Sequence, residues 1–315
     1  MLRFLPSLLL ISALPLSAQD WPQFRGPSSN AVVQAADIPV KWSGTDNVAW
    51  KVDLPGKGWS SPVLSGGKLY LTTAVARGTD QDAAGPRSLR ALCLDPETGK
   101  ELWNTEVFAE STNSPAIHSK NSHASPTPIV QDGKLYVHFG HQGTACLDLQ
   151  GKKLWENREL FYQPQHGGGS TPVLVDDHLI FTCDGRDEQY VAALSSKDGS
   201  VAWKFKRPTQ AQKKFSFASP ECITVNGKKQ VITPGADMVN ALDPATGAEI
   251  WRCDYEGYSV VPKPVYGNGL VYVSSSFDTP DVLAIDPTGK GDVTANNIKW
   301  QVGPNKRPPC TPSMI

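Results

Sequence analysis

The stretch "ALCLDPETGKELW", Ala91 to Trp103, decides the fold, because "ALDPATGAEIW", Ala241 to Trp251, repeats it almost letter for letter. Asp95-Pro96-Glu97-Thr98 has the chemistry of a type I turn: proline fixes φ at the second position, and the first-position aspartate accepts hydrogen bonds from the turn's own amides. Gly99 supplies a left-handed residue and makes the loop a short bulged hairpin. The flanks run apolar or alternate, as strands do. The string is therefore strand, turn, strand, with a tryptophan on the second strand. It contains no nucleophile, acid–base pair or phosphate loop.

Tryptophans recur at hairpin ends: Trp50, Trp103, Trp155, Trp203, Trp251 and Trp300, spaced by 53, 52, 48, 48 and 49 residues. Before the last five lie the turns "DPETGKELW", "DLQGKKLW", "SSKDGSVAW", "DPATGAEIW" and "DPTGKGDVTANNIKW"; the second is one residue short and the fifth carries an insertion. The other half of the unit repeats as well. A residue pair before proline opens it ("SSPVL", "ASPTPIV", "STPVL", "ASPECI", "VVPKPV"), and a second strand follows a turn ("GGKLYLTT", "DGKLYVHF", "DDHLIFTC", "NGKKQVIT", "GNGLVYVSS"). Four strands in about fifty residues, repeated, are the signature of a β-propeller blade. One blade cannot bury both its faces; radial stacking buries them. A tryptophan on the outer strand suits the gap between neighbours, since it buries a large area and its N–H can reach a backbone acceptor. All six tryptophans are thus expected to be docking residues. Cys93 and Cys146 occupy the place held in other copies by Ala193, Ala241 and Ala284, so cysteine acts there as a small apolar residue. The six cysteines are expected to be mostly free, buried thiols.

The small-x-Asp-x-x-Thr-Gly-x-x-x-Trp pattern resembles the pyrroloquinoline quinone (PQQ) repeat. That repeat occurs in quinoprotein alcohol dehydrogenases and in the propeller lipoprotein of the outer-membrane β-barrel assembly machine. More narrowly, the chain resembles exported PQQ-binding-like β-propeller repeat proteins, through "WPQFRGP" (Trp21 to Pro27), "GWSSPV" (Gly58 to Val63), "NSHASPTP" (Asn121 to Pro128), "KKFSF" (Lys213 to Phe217) and "GYSVVPKPV" (Gly257 to Val265). The resemblance runs from Trp21 to the end and implies eight blades in an uninterrupted protein.

The address comes from "MLRFLPSLLLISALPLSA": one positive charge at Arg3, an apolar core from Leu5 to Leu16, and small Ser17 and Ala18 before Gln19. This reads as a signal peptide over 1–18, cleaved near Ala18, which sends the protein to the periplasm or beyond. The run is short for a membrane span and holds Pro6 and Pro15, so the mature chain is expected to have no transmembrane span. Lys plus Arg number 30 against 31 Asp plus Glu, net −1, which speaks against a nucleic-acid binder.

After the signal, residues 19–57 read as an N-terminal segment with a closing outer strand near 47–55 ("NVAWKVDLP"). Residues 58–315 read as five complete four-stranded blades plus the first strand of a sixth, "CTPSMI". Such an arc has exposed apolar faces and unpaired edges, which predicts a fragment that self-associates.

The starts of the inner strands form the channel mouth of a propeller. Here they offer Trp59, Ser60, His123, Ser125, Ser170, Thr171, Phe217, Ser219, Tyr258 and Ser259. Of these, Trp59, His123, Ser125, Ser170, Phe217 and Tyr258 are the ligand candidates, a mixture of hydroxyls and aromatics suited to a polar ligand or a peptide. His118, His123, His138, His141 and His166 cluster in sequence. His138 and His141, three apart on a strand, would point to opposite faces, a poor metal pair. Asp184, Arg186 and Asp187 in "DGRD" lack the alternate oxygen ligands of a calcium loop and read, like Lys213 and Lys214, as solvated. No catalytic, cofactor or metal site is expected.

The sequence therefore predicts a non-enzymatic binding or scaffold propeller of the cell envelope, with an envelope protein or peptide as partner. The alternative is a PQQ- and calcium-dependent alcohol dehydrogenase. The resemblance implies that such an enzyme holds its quinone over calcium, with an aspartate base, a tryptophan floor and a ring formed by adjacent cysteines. This chain has no adjacent cysteines.

Overall fold

The computed structural model describes residues 20–33, 38–77, 85–110 and 114–314. The signal-peptide reading over 1–18 lies outside them. Sheet I is Val63–Ser65, Lys68–Ala76, Arg87–Leu94 and Glu101–Ala109 (β1–β4). Sheet II is Ile129–Gln131, Lys134–His138, Thr144–Asp148 and Lys153–Asn157 (β5–β8), and sheet III is Val173–Val175, His178–Asp184, Gln189–Ser195 and Val201–Lys206 (β9–β12). Sheet IV is Glu221–Val225, Lys228–Pro234, Met238–Leu242 and Glu249–Asp254 (β13–β16). Sheet V is Val265–Gly267, Leu270–Ser274 and Val282–Ile285 (β17–β19), then Ile298–Val302 (β21). These four strands form an antiparallel meander in chain order in every sheet, and sheet IV gains a short fifth strand at its outer edge. The chain is an all-β propeller of four-stranded blades.

The hairpin chemistry explains the registers. Asp95 Oδ1 accepts the amides of Glu97 and Thr98, and Asp243 Oδ1 does the same for Ala245 and Thr246. Each third strand shifts register near its end, between Cys93 and Leu94, Cys146 and Leu147, Ala193 and Leu194, Ala241 and Leu242, and Ala284 and Ile285; β3 shifts a second time between Leu89 and Arg90. The residue before each shift near the strand end pairs with the tryptophan of its own blade. A larger side chain there would compete with the indole for space, which is why only Cys or Ala occurs. All six cysteines are free, and four are buried.

The core lies between sheets rather than inside one. Val63, Tyr70 and Cys93 of sheet I pack with Leu135, Val137 and Leu147 of sheet II. Val191 of sheet III packs with Val231 and Leu242 of sheet IV, and Ile232, Val239 and Trp251 pack with Val271, Leu283 and Ile285 of sheet V.

The tryptophans bridge these layers. Nε1 of Trp50, Trp103, Trp155 and Trp203 donates to the carbonyl one residue into the next hairpin turn: Pro96 (2.8 Å), Leu149 (3.0 Å), Ser196 (3.2 Å) and Pro244 (3.0 Å). The ring covers the turn glycine so closely that a Cβ on Gly99, Gly199 or Gly247 would lie 2.5 Å from a ring carbon.

Trp251 departs from this rule. The insertion in the fifth turn folds back as Gly291–Asp292 (β20), which pairs in parallel with Trp251 and Arg252, so the indole is 0 % exposed. Its N–H donates to Gln230 Oε1 of its own blade (2.8 Å), and Gln230 Nε2 donates onward to the Pro287 carbonyl (3.3 Å). Pro287 is the equivalent of Pro96, so the glutamine relays a bond that elsewhere is direct. Trp300 is 45 % exposed and rests on Tyr272 of its own blade.

Two expected strands are absent. Residues 47–55 carry Trp50 into its dock but form no strand. Within the described residues they have no ladder neighbour; the Trp50 dock and the Thr73 hydroxyl, which donates to the Pro55 carbonyl (2.6 Å), hold them to the blade. Residues 310–314 are likewise not a strand, yet Ser313 Oγ accepts the Lys263 amide at 3.0 Å. That bond continues a series in which Ser61 N donates to Thr127 Oγ1, Thr127 N to Thr171 Oγ1 and Thr171 N to Ser219 Oγ.

Residues 20–31 cross from one end of the arc to the other. Trp21 pairs with Leu64, and the Pro22 carbonyl accepts the Val130 amide, so the segment lies along β1 and β5. Farther on, Arg25 Nη2 donates to the Met314 carbonyl (2.5 Å), and Ser29 Oγ accepts from Lys263 Nζ (2.9 Å). Lys263 also pairs with Glu221. Among the described residues no helix is long and apolar enough to cross a membrane.

Candidate functional site: a bipartite groove at the channel mouth

The loops that lead into the inner strands enclose two adjoining cavities. The smaller, about 660 Å³, lies over sheet I; its lining includes Leu54, Trp59, Leu71, Thr72, Ile117 and His123. The larger, about 1240 Å³, is floored by Phe215, Phe217 and Tyr258 and edged by Lys120, Arg186 and Lys214. His118 and Asn121 line both, so slot and trough adjoin across these two residues as the two parts of a bipartite groove.

The wall between them is rigid. Asn121 Nδ2 donates to the carbonyls of His166 (2.9 Å) and Gly168 (3.3 Å), while its Oδ1 accepts from Ser122 N and Ser125 Oγ. Gly167, at φ +98°, makes this possible: a Cβ there would lie 2.6 Å from Asn121 Nδ2. The "HGGG" run is therefore a steric requirement of the wall. His118 Nδ1 accepts the Lys120 amide (3.1 Å), and its ring meets His166 edge-on at 5.4 Å.

From His166 the aromatic floor continues to Phe215 (5.5 Å) and Phe217 (5.9 Å), and from Phe215 edge-on to Tyr258 (5.6 Å). Lys213 lies over the Tyr258 ring at 4.2 Å, and the Tyr258 hydroxyl donates to Asp278. Burial, His118 and Arg186 together lower the His166 pKa, so its ring is a neutral part of this floor at pH 7.

The slot is apolar with a polar end. Trp59 is 60 % exposed at its mouth. His123 Nδ1 pairs with Glu110 Oε1 at 2.9 Å. Burial works to raise the Glu110 pKa, but bonds from His123, the Arg87 amide and Ser114 outweigh it and hold the carboxyl below its usual range. Thr72, among the lining residues, has a buried hydroxyl without a hydrogen-bond partner among the described residues.

The candidates read from the sequence divide accordingly. Trp59 and His123 line the slot, and Phe217 and Tyr258 the trough. Ser125 and Ser170 line neither: Ser125 Oγ bonds Asn121, and Ser170 Oγ accepts the Thr182 amide. Inner strands of only three residues (β1, β5, β9) leave bare amides that hydroxyls at their entrances must satisfy, so those groups are consumed by the fold. Lys120, Phe215 and Lys214 are not among the ligand candidates read from the sequence; the signal for Lys214 and Phe215 is the run of cations and aromatics in "KKFSF", and Lys120 has none. Arg186 and Asp187 are exposed loop residues, as read, and edge the trough, whereas Asp184 is buried against Arg207 and leaves its solvated reading.

A short 3-10 turn, Gly140–Gln142, follows His138. His138 is buried with Nδ1 2.8 Å from Thr144 Oγ1, and His141 Nε2 lies 3.1 Å from Ser114 Oγ. Burial lowers their pKa values to about 3 and about 4. Among the described residues no group of three or more His, Cys, Asp or Glu could hold a metal ion.

Blades of this sequence and geometry make the chain a PQQ-like β-propeller protein. Residues 75–205 match the family described as outer membrane protein assembly factor BamB. The BamB of Moranella endobia (strain PCIT) is 28 % identical over 179 residues, 56 % of this chain and 39 % of that protein. The BamB of Yersinia pestis is 27 % identical over 203 residues, 63 % and 48 % respectively. The chain thus spans about half the length, or less, of these curated relatives. A europium-containing methanol dehydrogenase superposes with a TM-score of 0.57 at 13 % identity, covering 86 % of this chain and 57 % of that one. A quinohemoprotein alcohol dehydrogenase from Pseudomonas putida HK5 gives 0.51, also at 13 %, over 81 % and 43 %. At such identities these likenesses concern the fold alone.

Proposed function

We propose that the protein is a non-enzymatic scaffold of the cell envelope, whose channel mouth binds a polypeptide partner. The observation that carries this reading is the bipartite groove, an apolar slot beside an aromatic trough with cations along its edge. Its two parts, about 660 and 1240 Å³, together exceed a small-ligand pocket of roughly 300–1,000 Å³ and suit an extended chain. The export signal and the two assembly-factor relatives support an envelope location.

The dehydrogenase alternative fits the residues poorly. A quinone held over calcium needs convergent carboxylates. In the trough, Asp187 Oδ1 already accepts the amides of Gln163 and Glu188, and Asp278 takes the Tyr258 hydroxyl. No cofactor is proposed. The test has two arms. Immobilised protein exposed to envelope extract retains a specific protein, identified by mass spectrometry; and after incubation with PQQ and calcium followed by desalting, it keeps no quinone absorbance. Stoichiometric quinone retention, or no protein retained above a blank matrix, overturns the proposal.

A further inference from the structure

We infer that the groove reads a bipartite ligand: an extended acidic polypeptide segment that lies along the trough and ends in a large apolar residue seated in the slot under Trp59. This rests on the scaffold reading above and names the chemistry of its partner.

The charge balance of the trough carries the acidic part. Lys120, Arg186, Lys213 and Lys214 line it against only Asp187 and Asp278, an excess of two positive charges (4 − 2) on a chain whose net charge is −1. Both acids are already engaged, Asp187 by two backbone amides and Asp278 by the Tyr258 hydroxyl. Lys213 is held over the Tyr258 ring. Among the described residues the side-chain cations of Lys120, Arg186 and Lys214 have no hydrogen bond or ion pair. These three charges line the same cavity as the aromatic floor and offer anchor points to successive carboxylates. The floor offers ring faces to the apolar parts of the same segment. A polycation would meet repulsion at every one of these points.

The slot carries the anchor. Leu54, Leu71, Ala74 and Ile117 line it together with the Trp59 ring, and its volume of about 660 Å³ accepts a large side chain with its backbone. The Thr72 hydroxyl, on a residue that lines the slot, is buried and has no partner among the described residues, an unused polar group beside the apolar lining. His118 and Asn121 line both cavities, so slot and trough adjoin across these two residues, within reach of one extended segment.

The test is fluorescence anisotropy with the full chain and labelled probe peptides of about twelve residues, roughly 40 Å extended. One probe is Glu/Ser-rich with a C-terminal Leu, the second lacks the Leu, and the third has Lys for every Glu. The first should bind, with affinity falling as salt rises from about 0.05 to 0.5 M, and the third should not. The Lys120→Glu/Arg186→Glu/Lys214→Glu variant, all at exposed positions, should weaken the first two probes at least about tenfold, the equivalent of about 1.4 kcal/mol. Trp59→Ala should weaken the first probe and leave the second unchanged. Equal binding of acidic and basic probes, an unaffected charge-reversal variant, or binding of oligogalacturonate in place of the peptides overturns the inference. If the charge-reversal variant still retains the same envelope protein, the scaffold reading survives and the groove inference alone fails.

Discussion

Replacing Gly247 by alanine tests how strongly tryptophan docking holds one blade to the next. Gly247 sits at φ +72°, and an added Cβ would lie 2.5, 2.6 and 3.1 Å from three ring carbons of Trp203. Gly227, in the same blade at φ +75°, would place its Cβ in open space. Both substitutions incur the left-handed penalty of an L residue, on the order of 1–2 kcal/mol. Only the first expels the indole. That forfeits the Trp203–Pro244 bond (3.0 Å), about 1 kcal/mol, and for a half-buried ring about half of the 3–5 kcal/mol that a tryptophan truncation costs. Gly247→Ala should therefore destabilise by about 3 kcal/mol more than Gly227→Ala. Urea unfolding followed by tryptophan fluorescence and far-ultraviolet circular dichroism measures both. In a Trp203→Ala background the two alanine variants should become nearly equal, because the ring they differ over is gone. Equal losses in the wild-type background would refute the docking argument.

Gln230→Leu leaves the buried Trp251 N–H without its acceptor and should cost about 1–3 kcal/mol in urea unfolding; an unchanged midpoint would mean that the relay to Pro287 carries no weight. Arg207, wholly buried, holds Asp184 through Nε at 2.9 Å and bonds Thr233 and Asn240 of the next blade. Arg207→Leu strands the Asp184 charge and should cost about 3–5 kcal/mol, and adding Asp184→Asn should recover part of it. The pH dependence follows from His138 and His141, held near 3 and 4 by burial against 6.5 in the unfolded chain. Their folded values are depressed, so the unfolded chain binds the extra protons, and stability present above pH 6.5 is lost as pH falls toward 4, by up to about 1.4 kcal/mol per pH unit for each. Urea midpoints at pH 7.5 and 5 should show this fall, and His138→Phe should reduce the slope; a midpoint that rises on acidification contradicts it.

What the sequence made legible is what repeats. Five Asp- or Ser-led turns and six tryptophans were enough for the blades, because each copy obeys the same local rules of turn, bulge and small neighbour. What stayed hidden depends on one copy differing from the rest. The extra residues between Gly289 and Asn297 could be seen as an insertion, but not that they pair with β16 and bury Trp251. Ser125 and Ser170 resembled ligand groups because hydroxyls look alike in sequence whether they face solvent or cap a bare amide. The stretch 47–55 resembled a strand because alternation reports a preference, whereas a strand also needs a neighbour to bond to. The trough was the hardest to read: Lys120, Arg186 and Lys214 lie on three separate loops, and only the arc brings them together.

The crossing of residues 20–31 also sets an order of events. The Arg25–Met314 bond joins positions 289 residues apart in the chain, and closing so long a loop costs on the order of 5 kcal/mol of chain entropy by logarithmic scaling. That cost becomes small only once the intervening blades have stacked and brought the two ends near each other. During synthesis the N-terminal segment can settle along β1 and β5 as soon as those strands exist, while Arg25 and Ser29 wait for Lys263 and Met314 to emerge. The segment is therefore a late fastener. Damage to it should leave the blades assembled and free the ends of the arc.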